Sequence, residues 1–452
     1  MNLDHPLIKK ALAEDSSLFE KEPVIEDTDE LVRFGIYIPG KETFPLGFLK
    51  LFPEEFIVEE ISQSGTVITI DRPQEQSSKF EQGSTGIYRA TLVKCGLSTL
   101  EAVRDISTRL NIDMRDVGYA GIKDKYAITA QEITIRNASI EAIKSLSSGN
   151  YFLKDIRPDK GMLMAGALTG NRFSLFVRTE NGISPETFTG NKEEFFNYFY
   201  LQRFGSPRYI NFEWGYDILC GNYEKTIESL LFKPAGHEIN YVRKLREKAS
   251  QERSWSKIRE IFEPVLDILH SERPVIEHLS KHPTDFRGAL GTIPDQVQLW
   301  LYALASLMWN EKISGALRNG FQLPPELPFF LSNKKEDIDL YAEELRGLGI
   351  YPPPFQNLRP FPHIRLSHRT APVIEQASNI AFTSQEKGFR LSFELSKGSY
   401  ATTFLSHHIN IVSEAPTVTM SQDRLTAREV AEDKDRIHTI ESFQALSLDN
   451  RE

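Results

Sequence analysis

Asp124 is the residue of this chain whose sequence surroundings most favour chemistry. It lies in the segment VGYAGIKDKYAITAQ, residues 117–131, where two glycines precede it, Lys123 and Lys125 flank it, and β-favouring residues follow. Glycine permits sharp turns and close backbone approach, so the pattern predicts a carboxylate at the tip of a tight turn between two strands. A carboxylate on rigid strands is a candidate nucleophile. From the residues alone, an ordinary hairpin with a charged tip is the better-supported interpretation, because Gly and Asp are common turn residues.

Five ordered motifs resemble those of the TruD family of tRNA pseudouridine synthases. Around Asp124, the family pattern G-x-K-D-x-x-A-x-T-x-Q is matched by Gly121, Lys123, Asp124, Ala127, Thr129 and Gln131. The other motifs are KLFPEEFIVEE at 50–60, GALTGNRFSLFVR at 166–178, NYFYLQRFG at 197–205 and RLSFELSKGSYAT at 390–402. Because they keep the family's order and cover most of the chain, the chain is identified as a member of this family.

The resemblance implies an isomerase that converts a uridine of tRNA, by family knowledge at position 13, to pseudouridine. The reaction breaks the bond from uracil N1 to the ribose and remakes it through C5. It involves no redox change or net hydrolysis, so we expect neither a cofactor nor a metal. The resemblance assigns the nucleophile to Asp124 and leaves open whether it attacks the base or the ribose. The target base must leave its stack, at a cost of a few kcal/mol.

Three residues are predicted to support Asp124. Desolvation raises the pKa of a carboxyl group and a nearby cation lowers it, so a positive partner is expected, and motif correspondence nominates Lys50. The alternative for Lys50 is an ordinary surface lysine. The resemblance makes Phe173 the aromatic ring on which the base stacks, although periodicity alone predicts a core phenylalanine. Asn171, two residues earlier, is predicted to hydrogen-bond the nucleotide or to fix the loop that carries Asp124.

Four residues are candidates for RNA contact, namely Lys123, Arg203, Lys397 and Tyr400. Arg203 could clasp a phosphate bidentately, or equally pin the predicted domain junction through a carboxylate. Lys397 and Tyr400 lie in a loop of small residues where backbone could approach RNA. In that loop Ser396 stands where the family often has proline.

Charge and composition permit an RNA substrate. The net charge is -10, but residues 1–32 carry -6 and residues 413–452 carry -4. The neutral remainder can therefore present a basic cleft to RNA. No apolar run approaches the ~20 residues of a membrane helix, and no signal-peptide core is present. Two cysteines without metal-type spacing favour a cytoplasmic location, and we expect a monomer that binds no membrane.

The pattern of elements predicts an α+β fold with a mixed β-sheet of pseudouridine-synthase type, flanked by helices. An inserted, mostly helical α/β domain is expected at 206–365, between catalytic segments at 46–205 and 366–412. Residues 1–45 are expected to be a loosely held acidic lead-in, and residues 413–452 a mobile tail. Ser98 and Glu101 have the spacing of a capping box before a predicted helix. A basic run at 241–260, with seven basic and three acidic residues, is either an RNA-facing helix or a solvated helix face.

Two alternatives to this interpretation come from other functional classes. A catalytically silent RNA-binding or chaperone protein on the same scaffold is the first, and the intact lysine, aspartate, asparagine and phenylalanine set counts against it. An Asp-dependent phosphotransferase is the second, but Tyr126 stands where a D-x-D arrangement would need its second aspartate. Separately, His278 and His282 have the spacing of metal ligands on a helix face, but a zinc site there lacks the signal of a third ligand.

Overall fold

The computed structural model describes residues 4–20, 23–72, 86–179, 185–188, 190–413 and 424–448. It is an α+β fold, as the sequence predicted. The chain divides into two compact units, unit 1 of residues 1–42 and 196–374 and unit 2 of residues 43–195 and 375–452. The units of the structure change after residues 195 and 374. The sequence predicted that the inserted domain begins after residue 205 and ends at residue 365.

Strands of the described chain are labelled in sequence order. They are β1 Val24–Glu26, β2 Leu46–Phe48, β3 Phe56–Ser62, β4 Ile87–Cys95, β5 Val117–Tyr119, β6 Ile128–Arg136, β7 Ser147–Ser148, β8 Tyr151–Pro158, β9 Leu168–Arg178, β10 Lys192–Phe196, β11 Glu326–Pro328, β12 Thr370–Pro372, β13 Ile374–Gln385, β14 Gly388–Ser396 and β15 Asn410–Ser413.

Helices are labelled in the same way. They are α1 Pro6–Glu14, α2 Thr28–Val32, α3 Thr99–Leu110, α4 Ile140–Lys144, α5 Asn211–Cys220, α6 Tyr223–Phe232, α7 Asn240–Ser250, α8 Trp255–Phe262, α9 Glu272–Leu279, α10 Phe286–Gly291, α11 Pro294–Asn319, α12 Lys335–Asp339, α13 Ala342–Gly347, α14 Ala401–Ser406, α15 Ala427–Val430 and α16 Lys434–Leu448.

Unit 2 is built on a mixed sheet in which β15, β2, β9, β3, β6, β4, β8 and β7 follow one another. β3 pairs parallel with β6 and antiparallel with β9, and β5 adds to β6. Side chains alternate along β6, so Ile133 and Ile135 pack with α3 and α4 while Ile128 and Ala130 enter the core of the opposite face. The predicted capping box of α3 is confirmed, because the Ser98 and Glu101 side chains accept from each other's backbone N–H.

Residues 424–448 are not a mobile tail, so that prediction is wrong for them. Ile440 and Phe443 of α16 are buried in the sheet core with Ile57 and Ile128. Arg436 pairs with Glu59 of β3. The segment does carry a helical signal, because Ile437, Ile440 and Phe443 recur at three-residue spacing, and the sequence analysis overlooked it. The rest of the predicted tail beyond Ser413 lies outside the described residues.

Residues 4–20 and 23–42 are likewise not a loose lead-in. Ile8, Leu31 and Phe34 are buried, and the Phe34 ring stacks on Phe204 of the same unit at 4.8 Å between centroids. The buried amide of Asn310 in α11 donates to the Phe34 carbonyl at 2.8 Å. Most acidic residues of this stretch lie at exposed positions, with Glu26 a buried exception, while its apolar residues fix it in place.

Unit 1 is mostly helical, and α11 carries buried residues along most of its length. The basic run at 241–260 forms two helices, α7 and α8, instead of one. Its Arg246 is buried and paired with Glu238 and Glu272, so this arginine does not face solvent. Among the described residues, no helix is both long and apolar enough to cross a membrane.

Candidate active site

Asp124 lies in an irregular eight-residue connection between β5 and β6, residues 120–127. Tyr119 pairs with Ile133, so the connection is longer than the tight turn that the sequence predicted. Gly118 is needed for close approach, because a Cβ there would meet the Leu163 carbonyl oxygen and Thr134 Oγ1 at 2.6 Å. At Gly121 a Cβ would make ordinary contacts, with Lys123 Nζ at 3.6 Å and the Leu168 methyl groups at 3.9 Å.

On its buried side, the loop is held by hydrogen bonds to side chains. Thr99 Oγ1 accepts from the Lys123 backbone N–H at 2.9 Å and donates to Gln131 Oε1 at 2.8 Å. Gln131 Nε2 in turn donates to the Gly121 carbonyl at 2.9 Å. The motif glutamine therefore fixes the loop's backbone.

Lys94 at the end of β4 holds the backbone of Asp124 itself. Its Nζ donates to the Asp124 carbonyl at 2.8 Å and to the Leu97 carbonyl at 2.7 Å, and the side chain is fully buried. Burial lowers the pKa of Lys94 to about 8, although the nearby Asp124 carboxylate opposes this shift. The sequence analysis missed this residue. Its signal was a lysine within the apolar run at the end of β4.

On the exposed side, the Asp124 carboxylate meets Lys50. Lys50 Nζ donates to Asp124 Oδ1 at 3.1 Å, and the two side chains are 26% and 46% exposed, respectively. The same Nζ lies 3.7 Å from the centroid of the Phe56 ring. The carboxylate is thus oriented by a cation and is still open to solvent.

Lys50 is held in a strained conformation. Its φ of 57° is left-handed, which costs a residue other than glycine roughly 1–3 kcal/mol and is a common feature of functional sites. The neighbouring Leu51 N–H donates to Glu55 Oε2 at 3.0 Å, and the Leu51 carbonyl accepts from the Tyr126 hydroxyl at 3.0 Å. Tyr126 comes from the loop of Asp124, so the two segments of the ion pair are tied together twice.

The anchor of this tie is Glu55. It is fully buried and accepts from Arg178 Nε at 2.9 Å. Burial raises the pKa of Glu55, and Arg178 opposes the rise. Glu55 and Tyr126 are both positioning residues that the sequence analysis did not single out.

Lys123 and Asn171 lie together beneath the loop. Lys123 Nζ donates to Asn171 Oδ1 at 2.6 Å and lies 2.9 Å from Glu60 Oε2. Burial raises the pKa of Glu60, against the pull of Lys123. Lys123 is only 5% exposed, which contradicts the prediction that it contacts RNA. It links Asn171 on β9 to the loop of Asp124, and this contact matches the second of the two roles predicted for Asn171.

Phe173 lies on β9 between other rings. It is 6% exposed, stacks on Phe393 at 5.4 Å between centroids, and meets Phe56 edge-on at 6.1 Å. Phe56 is the ring beneath Lys50, so Phe173 is one ring removed from the ion pair. Base stacking by Phe173 stays a prediction.

The remaining candidates for RNA contact are Lys397, Tyr400 and Arg203. None of them is hydrogen-bonded to Lys50 or Asp124 in the described part of the chain. Lys397 is exposed and donates to the Gly166 carbonyl at 3.3 Å, while Tyr400 is half-buried at the start of α14. Arg203 belongs to unit 1.

A family model described as tRNA pseudouridine synthase D (TruD) matches residues 37–328 of the chain. The chain belongs to the TruD family. The resemblance that the five motifs carried is thereby confirmed.

Curated relatives match over most of this TruD chain. A probable tRNA pseudouridine synthase D 1 of Methanocaldococcus jannaschii is 27% identical, across 80% of this chain and 95% of that protein. A probable tRNA pseudouridine synthase D of Pyrococcus furiosus is 28% identical, across 62% of this chain and 64% of that protein.

A solved structure shares the fold of this TruD chain. It is the crystal structure of the putative tRNA pseudouridine synthase D (TruD) from Methanosarcina mazei, with a TM-score of 0.59 and 21% identity, and it covers 84% of this chain and 97% of that one. At this identity the likeness concerns the fold alone.

The TruD site therefore combines one solvent-accessible carboxylate with cations whose positions are fixed. Within the described part of the chain, no group of three or more His, Cys, Asp or Glu side chains is arranged to hold a metal. The His278 and His282 rings do lie close, 5.0 Å between centroids, and His278 Nε2 lies 2.9 Å from Asp285 Oδ2.

Proposed function

We propose that this chain converts a uridine of tRNA to pseudouridine with Asp124 as its nucleophile. Family membership and the names of the curated relatives support the reaction and the tRNA substrate. Position 13 of tRNA is the target that the family resemblance favours. The observation that carries the role of Asp124 is the Lys50–Asp124 ion pair at 3.1 Å on an accessible carboxylate.

In the proposed reaction the uridine leaves its stack and Asp124 attacks either the base or the ribose. The bond between uracil N1 and ribose C1′ breaks, the base turns, C5 bonds to C1′, and the bond that Asp124 formed breaks, which regenerates the carboxylate. C5 then loses its proton and N1 gains one, so the product is an isomer of the substrate. Lys50 faces the carboxylate and keeps a positive charge beside it, which is the kind of fixed electrostatic support that favours charge development during reaction.

The supporting roles follow the contacts already described. Lys94 and Gln131 hold the backbone of the Asp124 loop, and Lys123 joins that loop to Asn171. Both cysteines are free thiols, which agrees with a cytoplasmic location. That location, and a monomer that works without a cofactor, are part of this proposal.

The test is an Asp124→Asn variant incubated with unmodified tRNA transcript, followed by site-resolved mapping of pseudouridine. We expect the wild type to modify one uridine and the variant to form no product above background, because an amide is a very poor nucleophile. Asp113→Asn is the matched control, since Asp113 is 50% exposed and paired with Arg115 at 3.0 Å. It should keep wild-type activity.

Two outcomes would contradict the proposal in different ways. Equal product from wild type and Asp124→Asn would remove Asp124 as the nucleophile. Tight tRNA binding without product from the wild type, on any tRNA tested, would favour a silent RNA-binding protein on this scaffold.

A further inference from the structure

Unit 1 contains a cavity of about 220 Å³ that the mechanism does not use. Its lining combines three arginines with three aromatic rings, namely Arg203, Arg365, Arg369, Phe199, Tyr302 and Phe329. No Asp, Glu or His lines it. Guanidinium groups and aromatic faces are the two components with which proteins bind phosphates and bases.

The guanidinium groups of this cavity have few partners in the protein. Arg369 donates to Ser367 Oγ and to the Tyr302 hydroxyl, both at 3.1 Å. Arg203 lies 5.1 Å from the centroid of the Phe199 ring, and its Nε is buried without a hydrogen-bond acceptor among the described residues. In the described part of the chain, none of the three arginines lies in an ion pair with a carboxylate. Three such cations around one cavity favour an anion there.

Two other arginines of unit 1, Arg246 and Arg208, show which hydrogen-bond partners a buried guanidinium group has in this unit. Arg246 Nη2 donates to Glu238 Oε1 at 2.7 Å and to Glu272 Oε1 at 2.8 Å. The buried Arg208 donates to the Leu230 carbonyl at 2.8 Å. Both of these arginines bond to carboxylate or carbonyl oxygens, although Arg208 Nε, like Arg203 Nε, lacks an acceptor in the described part of the chain. Among the described residues, no bond from a cavity arginine's side chain to a carboxylate or carbonyl oxygen is seen.

The size of the cavity indicates what kind of anion it holds. Pockets for independent small molecules usually measure roughly 300–1,000 Å³, so about 220 Å³ suits one group of a larger ligand. A phosphate on the guanidinium groups with a base or ribose against the rings meets both the charge and the volume. The groups that line the cavity include guanidinium donors and aromatic faces, which suits binding of such a ligand.

We propose that this cavity binds one phosphorylated nucleotide of the RNA substrate, as an affinity contact contributed by unit 1. The inference rests on the proposed function for its substrate class. The sequence analysis gave Arg203 two alternative partners, a phosphate or a carboxylate, and this proposal chooses the phosphate. It adds Arg365 and Arg369, which no motif indicated.

The experiment measures binding of unmodified tRNA transcript across a salt series, with wild type and Arg365→Gln. Arg365 is exposed, and among the described residues its side chain has no hydrogen bond or ion pair, so its replacement should leave the fold intact. Losing one phosphate contact lowers the slope of log K against log salt by about 0.7–0.9. We also expect a KM raised about 3- to 10-fold at unchanged kcat, the pattern of lost uniform binding. Arg203→Gln should act in the same direction.

Arg273→Gln is the matched control. Arg273 is an exposed arginine of unit 1 whose partner is Glu277, at 3.1 Å, so the variant removes the same charge away from the cavity. If Arg365→Gln and Arg203→Gln both match Arg273→Gln in slope and KM, the cavity proposal is overturned even when the wild type makes pseudouridine. If the wild type makes none, the proposed function fails, while the binding slopes still decide the cavity.

A calorimetric titration with uridine monophosphate separates RNA from a free nucleotide. Weak binding of the mononucleotide, beside the expected loss of RNA affinity, supports the proposal. Micromolar binding that disappears in Arg365→Gln, with RNA affinity unchanged, would show a site for a free metabolite and overturn it.

Discussion

The buried and the exposed sides of the Asp124 loop are built on different principles. On the buried side, Lys94, Thr99 and Gln131 are fully buried and their hydrogen bonds to the loop measure 2.8 to 2.9 Å. On the exposed side, Lys50 and Asp124 form a solvent-accessible ion pair at 3.1 Å. An exposed ion pair contributes little to stability, typically about 0–1 kcal/mol, so its purpose is not to hold the loop.

The difference separates positioning from chemistry. The buried side fixes where the backbone of Asp124 lies, and it does so without touching the carboxylate. The exposed side leaves that carboxylate accessible and charged, which is what an attack on a nucleotide needs. Changes on the buried side should therefore alter stability and activity together, whereas changes on the exposed side should alter activity alone.

Lys94→Met is expected to have the largest effect. The variant leaves the carbonyl oxygens of Leu97 and Asp124 without their donor, at about 1–3 kcal/mol each. We expect a loss of about 100-fold in kcat and a clearly lower melting temperature, measured by single-turnover assays and thermal unfolding. Wild-type activity with reduced stability would show that the loop does not need this anchor for chemistry.

The pH profile sharpens the prediction for Lys94. Its lowered pKa of about 8 means that its charge is lost as the pH rises through 8. Asp124 and Glu101 oppose this loss, while Lys123 favours it. We expect the wild-type rate to fall above pH 8 and the residual rate of Lys94→Met to lack this limb. In the unfolded chain the pKa of this lysine is about 10.5, so between pH 8 and 10.5 the unfolded state binds more protons than the folded state. The contribution of Lys94 to the free energy of unfolding therefore rises with pH across this range.

Lys50→Met tests the exposed side. It removes the cation that faces the carboxylate, so we expect kcat to fall about 10- to 100-fold, in the range of other single electrostatic contributions to catalysis. The melting temperature should stay near that of the wild type, because the pair is exposed. Lys125→Met is the matched control, since Lys125 pairs with Glu101 instead and should cost less than about 3-fold. A large loss of stability in Lys50→Met would contradict the claim that the exposed side serves activity and the buried side holds the loop.

The sequence predicted the exposed side of the site better than the buried side. Asp124 and Lys50 belong to recognisable motifs, and the structure brings them together across 74 positions of the chain. Lys94 acts through a hydrogen bond to a backbone atom 30 positions away, and such a bond depends on how the chain folds, which no spacing in a single sequence reports. Glu55 accepts from the Leu51 N–H only four positions earlier, but its burial against Arg178 is equally a matter of the fold.

Side-chain burial explains the remaining differences. Lys123 has the composition of a surface residue but faces Glu60, because that neighbouring strand supplies a buried carboxylate. The helix α16 was missed for a different reason, since the three-residue spacing of Ile437, Ile440 and Phe443 was overlooked among polar residues. For Lys123 the partner is distant in sequence, so local patterns could not indicate it.

Two glycines of the loop motif provide the comparison with the smallest expected effect. In Gly118→Ala the new Cβ would press on the Leu163 carbonyl and Thr134 Oγ1 at 2.6 Å, so backbone must shift at a cost of about 1–3 kcal/mol. In Gly121→Ala it would lie 3.6 Å from Lys123 Nζ and 3.9 Å from the Leu168 methyl groups, which are ordinary contacts, and the change should stay within about 0.5 kcal/mol. Denaturant unfolding of both variants measures the difference. Equal stability would mean that the backbone at Gly118 yields as readily as the backbone at Gly121, and the close approach at Gly118 would then not help to fix the site.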